Sequence, residues 1–378
     1  MTGILSGIQE DIGNAIGWQQ TEDFTWTEQY ADFPIPEPDV AHIKSTVLEE
    51  LSRKHIIFPE AEQLVERCVT SLLVGHLILQ GPPGTGKTTL AHILADAFGA
   101  RLEQSTATSE WSPYHVVGGL RPAKSGGTEP QLGVVPKAAL ACAEALRQSS
   151  DEIVGTKMVW LLIDEFNRAE IDRAIGSLYT LLSSCDAEHM KQTPIELWFA
   201  DIDAGSKLWV PAAFRIIGTM NDLDTNYVSP MSQGLRRRFQ FVTVGVPLSV
   251  STDSEVNHAL QGAKEWLHRN YGGVQAQDNK VVQEALRTLA NVVDGFRTPE
   301  ETSWPVGTAQ IVDVLKVYLV SAGVDSMSAL DLAIADRLIA QMNTLTQEQY
   351  ARFGDILRNN GLKVAARELD HVYKPYVA

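Results

Sequence analysis

Apolar and polar positions alternate along this chain with rhythms that change from zone to zone. In residues 39–57, Val40, Ile43, Val47 and Leu51 recur at steps of three to four, which predicts a helix. Residues 59–74 predict a second. From His76 to about Val246 the pattern switches. Continuous apolar runs, HLILQ (76–80), KMVWLLID (157–164), FRIIGTM (214–220) and FQFVTVGV (239–246), alternate with helical stretches at 87–98, 136–149 and about 170–185. Apolar strands separated by helices predict an α/β fold, a parallel sheet with helices on both faces. Beyond residue 250 strand signal almost vanishes. Helical periodicity covers 254–270, 278–296, 307–321, 328–343 and 346–359.

Length and charge refine this outline. At 378 residues the chain can bury a core without disulfides or metals. Pro34, Pro36 and Pro38 break helices and mark a boundary. The expected division is an acidic N-terminal arm over 1–38, an α/β domain with its preceding helices over 39–250, and a helical lid with C-terminal helices over 251–378. The 47 acidic against 31 basic residues give a net charge of −16, which argues against coating DNA or anionic lipid with the whole surface. The acid is uneven: residues 10–39 carry eight Asp or Glu and no Lys or Arg. With Trp18, Trp26, Tyr30 and Phe33 among them, they read either as a docking arm or as a solvated terminus. Cys68, Cys142 and Cys185 have neither disulfide nor metal spacing, so a cytoplasmic, reducing setting and roles as small buried hydrophobes are expected. No 18-residue apolar run is present, so no membrane span is expected. The first residues lack a basic n-region and contain Glu10 and Asp11, unlike a secretory signal.

The chemistry begins at residues 81–88, GPPGTGKT, set between an apolar strand and the helix TTLAHILADAFG. This is the G-x-x-x-x-G-K-[ST] phosphate loop in its required strand–loop–helix context. Gly81, Pro82, Pro83, Gly84, Thr85, Gly86, Lys87, Thr88 and Thr89 are the expected nucleotide-binding residues. Gly84 and Gly86 permit the backbone turns that aim N–H groups at an anion. The helix start adds positive potential, Lys87 a point charge, and Thr88 a hydroxyl for Mg²⁺. In MVWLLIDEFNRAEID (158–172), Asp164 and Glu165 leave the core at a strand's C-terminal edge, where ligands bind in open α/β sheets. Asp164 is the expected Mg²⁺ partner. Glu165 is the candidate to polarise an attacking water. Asn221 ends the next apolar strand, either beside the γ-phosphate or as an ordinary turn residue. Arg236, Arg237 and Arg238 follow before the last strand; they cannot all face one partner, and one reaching a neighbouring subunit's nucleotide is the functional reading.

Taken together, GPPGTGKT, LLIDEFNRAEID, IIGTMNDLD and GLRRRFQFV resemble the AAA+ ATPases of the MoxR/dynein-related branch, and most closely the McrB-like group. The segment WSPYHVVGGLRPAKSGGTEPQLGVVPKAAL is similar to that group's insert between its two nucleotide motifs. The resemblance covers roughly residues 70–250. It implies a homo-oligomeric ring, usually hexameric, with nucleotide between subunits. It further implies Asn221 as sensor 1, Asp224 in the segment after it, Asn167 and Arg168 in the element after the acidic pair, and Arg237 or Arg238 as the trans arginine finger. PIELWFA, DIDAGS and KLWVPAA fit the family's hairpin before sensor 1. Trp198 and Trp209 within it are expected to pack rather than touch substrate. Two departures stand out: Ala309, in WPVGTAQ, occupies the place of a lid arginine, and the segment from Asn221 to Asn226 is altered.

No second catalytic constellation accompanies these motifs. The resemblance therefore implies Mg²⁺ and ATP as cofactors, with GTP as the alternative. It also implies a separate effector protein such as a nuclease, in a restriction or anti-phage defence system. DNA is a partner through that effector or through a pore lined by Lys124, Lys137 or Lys191. A MoxR-like chaperone acting on a protein partner is the second reading.

Overall fold

The computed structural model describes residues 23–36, 39–124, 126–149, 158–200, 206–221, 231–246, 252–272, 279–298, 300–321, 325–342 and 345–373. The chain divides into two compact units. One holds residues 1–47, 65–80 and 88–243; the other holds 48–64, 81–87 and 244–378.

The first unit is built on a five-stranded parallel sheet of order β2-β5-β8-β1-β9. Its strands are β1 (His76–Gly81), β2 (Ala100–Thr106), β5 (Met158–Asp164), β8 (Ile216–Asn221) and β9 (Phe239–Thr243). β5 is buried along its whole apolar run because layers cover both faces, and its exit to Asp164 is only partly buried. Trp160 at its centre is fully buried beside Phe98, and its indole N–H donates to Ala213 O at 2.8 Å. α3 (Lys87–Ala97) follows the loop after β1, and α5 (Val134–Ser149) packs on β5. β2 was not legible as an apolar run. It is an edge strand, ARLEQST, pairing only β5 and exposing alternate polar residues. A hairpin of β3 (Gly118–Pro122) and β4 (Thr128–Leu132) follows the short helix α4 (Pro113–Val116).

The helix expected over 170–185 is only α6 (Ile171–Ile175), followed by 3₁₀ turns at Gly176–Leu178 and Leu181–Ser183. Gly176, Thr180, Ser183 and Ser184 are poor helix formers, and the Ser183 hydroxyl bonds back to Thr180 O. After α7 (Ala187–Gln192), the expected hairpin is present as β6 (Ile195–Leu197) and β7 (Ser206–Leu208). Its turn at 201–205 lies outside the described residues.

Arg215 is buried with no carboxylate beside it among the described residues. It donates to Leu72 O (2.6 Å), Leu73 O (3.3 Å), Ala212 O (2.7 Å) and Phe214 O (2.9 Å). Two of these acceptors close α2 (Ala61–Val74), so the guanidinium joins a helix C-terminus to the entry of β8. Cys68 and Cys142 are buried, and burial pushes both thiols up to about 12, as expected of small hydrophobes.

The acidic stretch expected outside the α/β domain is, over residues 23–36, packed on this same unit. Phe24, Thr27 and Ala31 are buried. Thr27 Oγ1 accepts from Trp209 N (2.9 Å), Ala31 O accepts from Ala212 N (2.9 Å), and Asp32 pairs with Lys191 (2.6 Å). Arg147 lies over the Trp26 ring at 4.6 Å. Of the aromatics noted in the sequence, Trp26 makes this contact, Phe33 is exposed, and Trp18 lies outside the described residues.

The second unit is mainly helical: α9 (Thr252–Tyr271), α10 (Asn279–Arg297), α11 (Thr308–Ser321), α12 (Ser326–Arg337), α13 (Gln347–Asn359) and α14 (Lys363–Val372). Their apolar faces share one core, with Phe296 and Phe353 in contact at 4.5 Å and Tyr318 fully buried. α12 ends at Arg337, short of the expected 343. α14 was not legible because its cap comes from elsewhere. Asp331 of α12 accepts from Val364 N and Ala365 N, both at 2.8 Å. α1 (Val40–Arg53) stops before the expected 57 because His55 turns left-handed (φ 56°). There Ile56 N bonds Leu51 O and His55 N bonds Ser52 O, a Schellman closure without glycine.

Candidate active site

The loop after β1 has the geometry its sequence demands. Gly84 (φ 74°) and Gly86 (φ 86°) adopt left-handed backbone that a side chain would strain. A side-chain carbon at Gly81 would meet Val244 O at 2.1 Å. Thr85 Oγ1 donates to Pro82 O at 2.9 Å, closing the loop on itself. Lys87 is buried, and its Nζ donates to Gly81 O (2.8 Å) and Pro82 O (2.6 Å). Pro82 and Thr89 are half-buried, and Pro83 is exposed.

Thr88 follows Lys87 on the first turn of α3. Its hydroxyl donates to Asp164 Oδ1 at 3.1 Å. The same oxygen accepts from Thr219 Oγ1. Thr219 was missed by sequence reasoning, although the strand period of two puts it on the same face of β8 as Asn221. Thr88 and Asp164 thus come together as hard oxygen donors. Among the described residues no cluster of three His, Cys, Asp or Glu forms a metal cage. One carboxylate plus one hydroxyl fits Mg²⁺, which takes few protein ligands and completes its shell with phosphate and water.

Glu165 sits one residue beyond β5 in left-handed backbone (φ 56°, ψ 41°). A non-glycine residue held there costs on the order of 1–3 kcal/mol, and such strain clusters at functional sites. Its N–H donates to Thr219 Oγ1 at 3.2 Å. Asn221 Nδ2 donates to both carboxylate oxygens, at 2.8 and 3.0 Å, and Arg168 Nε donates to Oε2 at 3.1 Å. Asn221 therefore holds Glu165 directly. Asn167 is buried and donates from Nδ2 to Asn221 O at 2.9 Å, fixing the end of β8, while its Oδ1 has no partner among the described residues.

The arginine trio separates. Arg236 lies over Phe241 at 4.8 Å. Arg238 stacks on Tyr179 at 4.5 Å and donates to Tyr179 O (2.6 Å) and Gly234 O. Tyr179 and Ser232 both donate to Asp172, which anchors this turn. Arg237 is exposed and makes no side-chain bond among the described residues. Asp224 lies outside the described residues. Trp209 packs as expected, its indole donating to Lys191 O at 2.9 Å, but Trp198 is 67% exposed, contrary to the packing expectation. Of the lysines expected to line a pore, Lys191 is engaged with Asp32.

Residues 76–239 match the family model of the AAA domain, dynein-related subfamily. The chain is 27% identical over 216 residues to the type IV methyl-directed restriction enzyme EcoKMcrB subunit of Escherichia coli K12, covering 55% of this chain and 43% of that protein. It is 26% identical over 189 residues to the chaperone MoxR1 of Mycobacterium tuberculosis, covering 49% and 41%. The chain thus spans about two fifths of the length of these relatives. A RuvB mutant from Thermotoga maritima aligns in structure with a TM-score of 0.39 and 13% identity, over 82% of this chain and 73% of that one. No helix among the described residues is long and apolar enough to cross a membrane. Residues 76–239 thus match a dynein-related AAA domain, and the sequence is similar to both a McrB subunit and a MoxR chaperone.

Proposed function

We propose that this protein is a Mg²⁺-dependent nucleoside triphosphatase, with ATP its substrate, working as a homo-oligomeric ring on a separate effector. The observation that carries the first part is local. The phosphate loop runs directly into Thr88, whose hydroxyl meets Asp164, with strained Glu165 next in the chain. Gly81 to Thr89 would take the phosphates, and Thr88 and Asp164 would hold the ion. Bound Mg²⁺ would neutralise phosphate charge. Glu165 takes the proton of the attacking water, a role worth ~10²–10⁴ in rate, and Asn221 orients the Glu165 carboxylate. In this reading Arg237 is the residue offered to a neighbouring subunit, because Arg238 is committed to its own turn.

The expected ring is a hexamer, its place the cytoplasm, and its effector a nuclease of a McrB-like restriction or anti-phage system. DNA is then met through the partner or the pore. The similarity to MoxR1 extends almost as far as that to the McrB subunit, which keeps a chaperone acting on a protein partner as the second reading. The test is phosphate release from Mg²⁺-ATP and Mg²⁺-GTP, with and without DNA, alongside particle size by electron microscopy. Lys87→Ala is expected to abolish nucleotide binding, and Glu165→Gln to keep binding and stop turnover. A wild-type chain that stays monomeric with Mg²⁺-ATP and releases no phosphate overturns the proposal. Stimulation by DNA favours the restriction reading; indifference to DNA with stimulation by a protein partner favours the chaperone.

A further inference from the structure

The segment Val306–Gln310, at the start of α11, lies against the phosphate loop, and both belong to the second unit. The approach is close. A side-chain carbon at Gly307 would stand 2.1 Å from Gly84 O, and one at Gly84 would stand 2.8 Å from Gln310 Cγ. Ala309 N donates to Gly84 O at 3.3 Å. Gln310 is buried, and both ends of its amide are used. Oε1 accepts from Gly307 N (2.9 Å), and Nε2 donates to Gln341 Oε1 (2.9 Å).

The segment is held from behind by a buried ion pair. Arg297 donates to both oxygens of Glu255 (2.6 and 3.0 Å) and to Val306 O (2.9 Å from Nε). Glu255 also accepts from the Thr308 hydroxyl. Gly307 is thus braced on both sides and pressed on Gly84.

We propose that Gln310 is a positioning residue that latches the phosphate loop through neutral contacts, so that the latch serves nucleoside di- and triphosphates alike. The proposal rests on the nucleotide-site reading above. The groups that meet Gly84 from this segment are the Gly307 backbone, the Ala309 N–H and the Gln310 stem, all neutral, and the Gln310 amide is bonded to protein groups at both ends. What remains is shape. The Gln310 stem and the Gly307 backbone hold Gly84 in the left-handed turn that the loop needs before any phosphate arrives. A latch of this kind lowers the ordering cost of binding for any ligand that uses the loop.

The test is titration of the full chain with Mg²⁺-ADP and with a non-hydrolysable Mg²⁺-ATP analogue, for wild type, Gln310→Met and Gln310→Ala. Gln310→Met keeps the stem on Gly84 and removes two hydrogen bonds; Gln310→Ala removes both features. Each is expected to weaken ADP and the ATP analogue by the same factor, about five- to thirty-fold, with alanine the weaker binder. Thermal unfolding without nucleotide serves as the control for general damage. A loss confined to the ATP analogue overturns the neutral latch and makes Gln310 a reader of the γ-phosphate. Unchanged affinities with a lower melting temperature overturn it in favour of packing alone. A wild type that binds neither nucleotide refutes the site reading itself, an outcome distinct from the other two.

Discussion

Replacing Arg297 with methionine tests the brace behind the phosphate loop. Arg297 and Glu255 are 2% and 0% exposed at their side chains. Methionine keeps the stem but leaves a carboxylate buried with one hydroxyl partner, Thr308, and leaves Val306 O without its Arg297 donors. Removing one member of a buried ion pair typically costs about 3–5 kcal/mol. Against a total stability of about 5–15 kcal/mol, that is a large fraction. The double variant Glu255→Leu with Arg297→Met removes the orphaned charge. What remains is the unmet Val306 carbonyl and Thr308 hydroxyl, about 1–3 kcal/mol. Urea unfolding followed by circular dichroism measures both. Hydrogen exchange over 306–321 locates the change, which should appear as lost protection at the start of α11. A cost for Arg297→Met below about 1 kcal/mol, or a double variant no more stable than the single, would refute the reasoning.

Arg237→Ala should leave stability unchanged and remove turnover, with the defect crossing to the neighbouring subunit in mixed assemblies. Arg238→Ala loses two carbonyl acceptors and the Tyr179 stack, and should lower stability by about 1–3 kcal/mol in urea unfolding. Burial, with help from Arg215, lowers the His76 imidazole from 6.5 to about 3. Its stabilising share is complete above pH 6.5 and drains as pH falls toward 3, by up to about 1.4 kcal/mol per pH unit. His76→Gln keeps an acceptor for Ile216 N; its unfolding free energy should fall less steeply than wild type between pH 6.5 and 4.5, and parallel slopes would refute this. At position 165, Gly should be more stable than Ala by about 1 kcal/mol, the reverse of the order inside a helix or strand, because only glycine relieves φ 56°. Thermal unfolding of the two variants decides it.

What the sequence made legible follows from where each signal was stored. Central strands such as β5 announced themselves because burial on both faces demands continuous apolar residues. β2 did not, since an edge strand tolerates polar alternation. α14 starts on a cap supplied by Asp331, some thirty residues earlier, and no window around Leu362 contains it. The glycine loop of residues 81–88 and the Asp164–Glu165 pair stood out because each pattern is local in sequence. Thr219 was readable in principle from strand alternation. The Gln310 contact was not, because it pairs a loop with a segment more than two hundred residues away.

Three residues of the candidate site stand out from their surroundings. Glu165 keeps left-handed backbone that glycine would hold more cheaply. Arg237 stays exposed while both neighbours are stacked on aromatic rings. Asn167 buries an oxygen with no partner among the described residues, at the turn that carries Glu165. Satisfied structure lies beside them: the Asp172 cluster next to Arg238 and the Asn221 amide on Glu165. Left-handed backbone alone does not mark the site, since His55 and Glu60 share it. What sets Glu165 apart is that its strained turn is held by three polar contacts, from Thr219, Asn221 and Arg168, at the C-terminal edge of the sheet, where open α/β folds bind ligands.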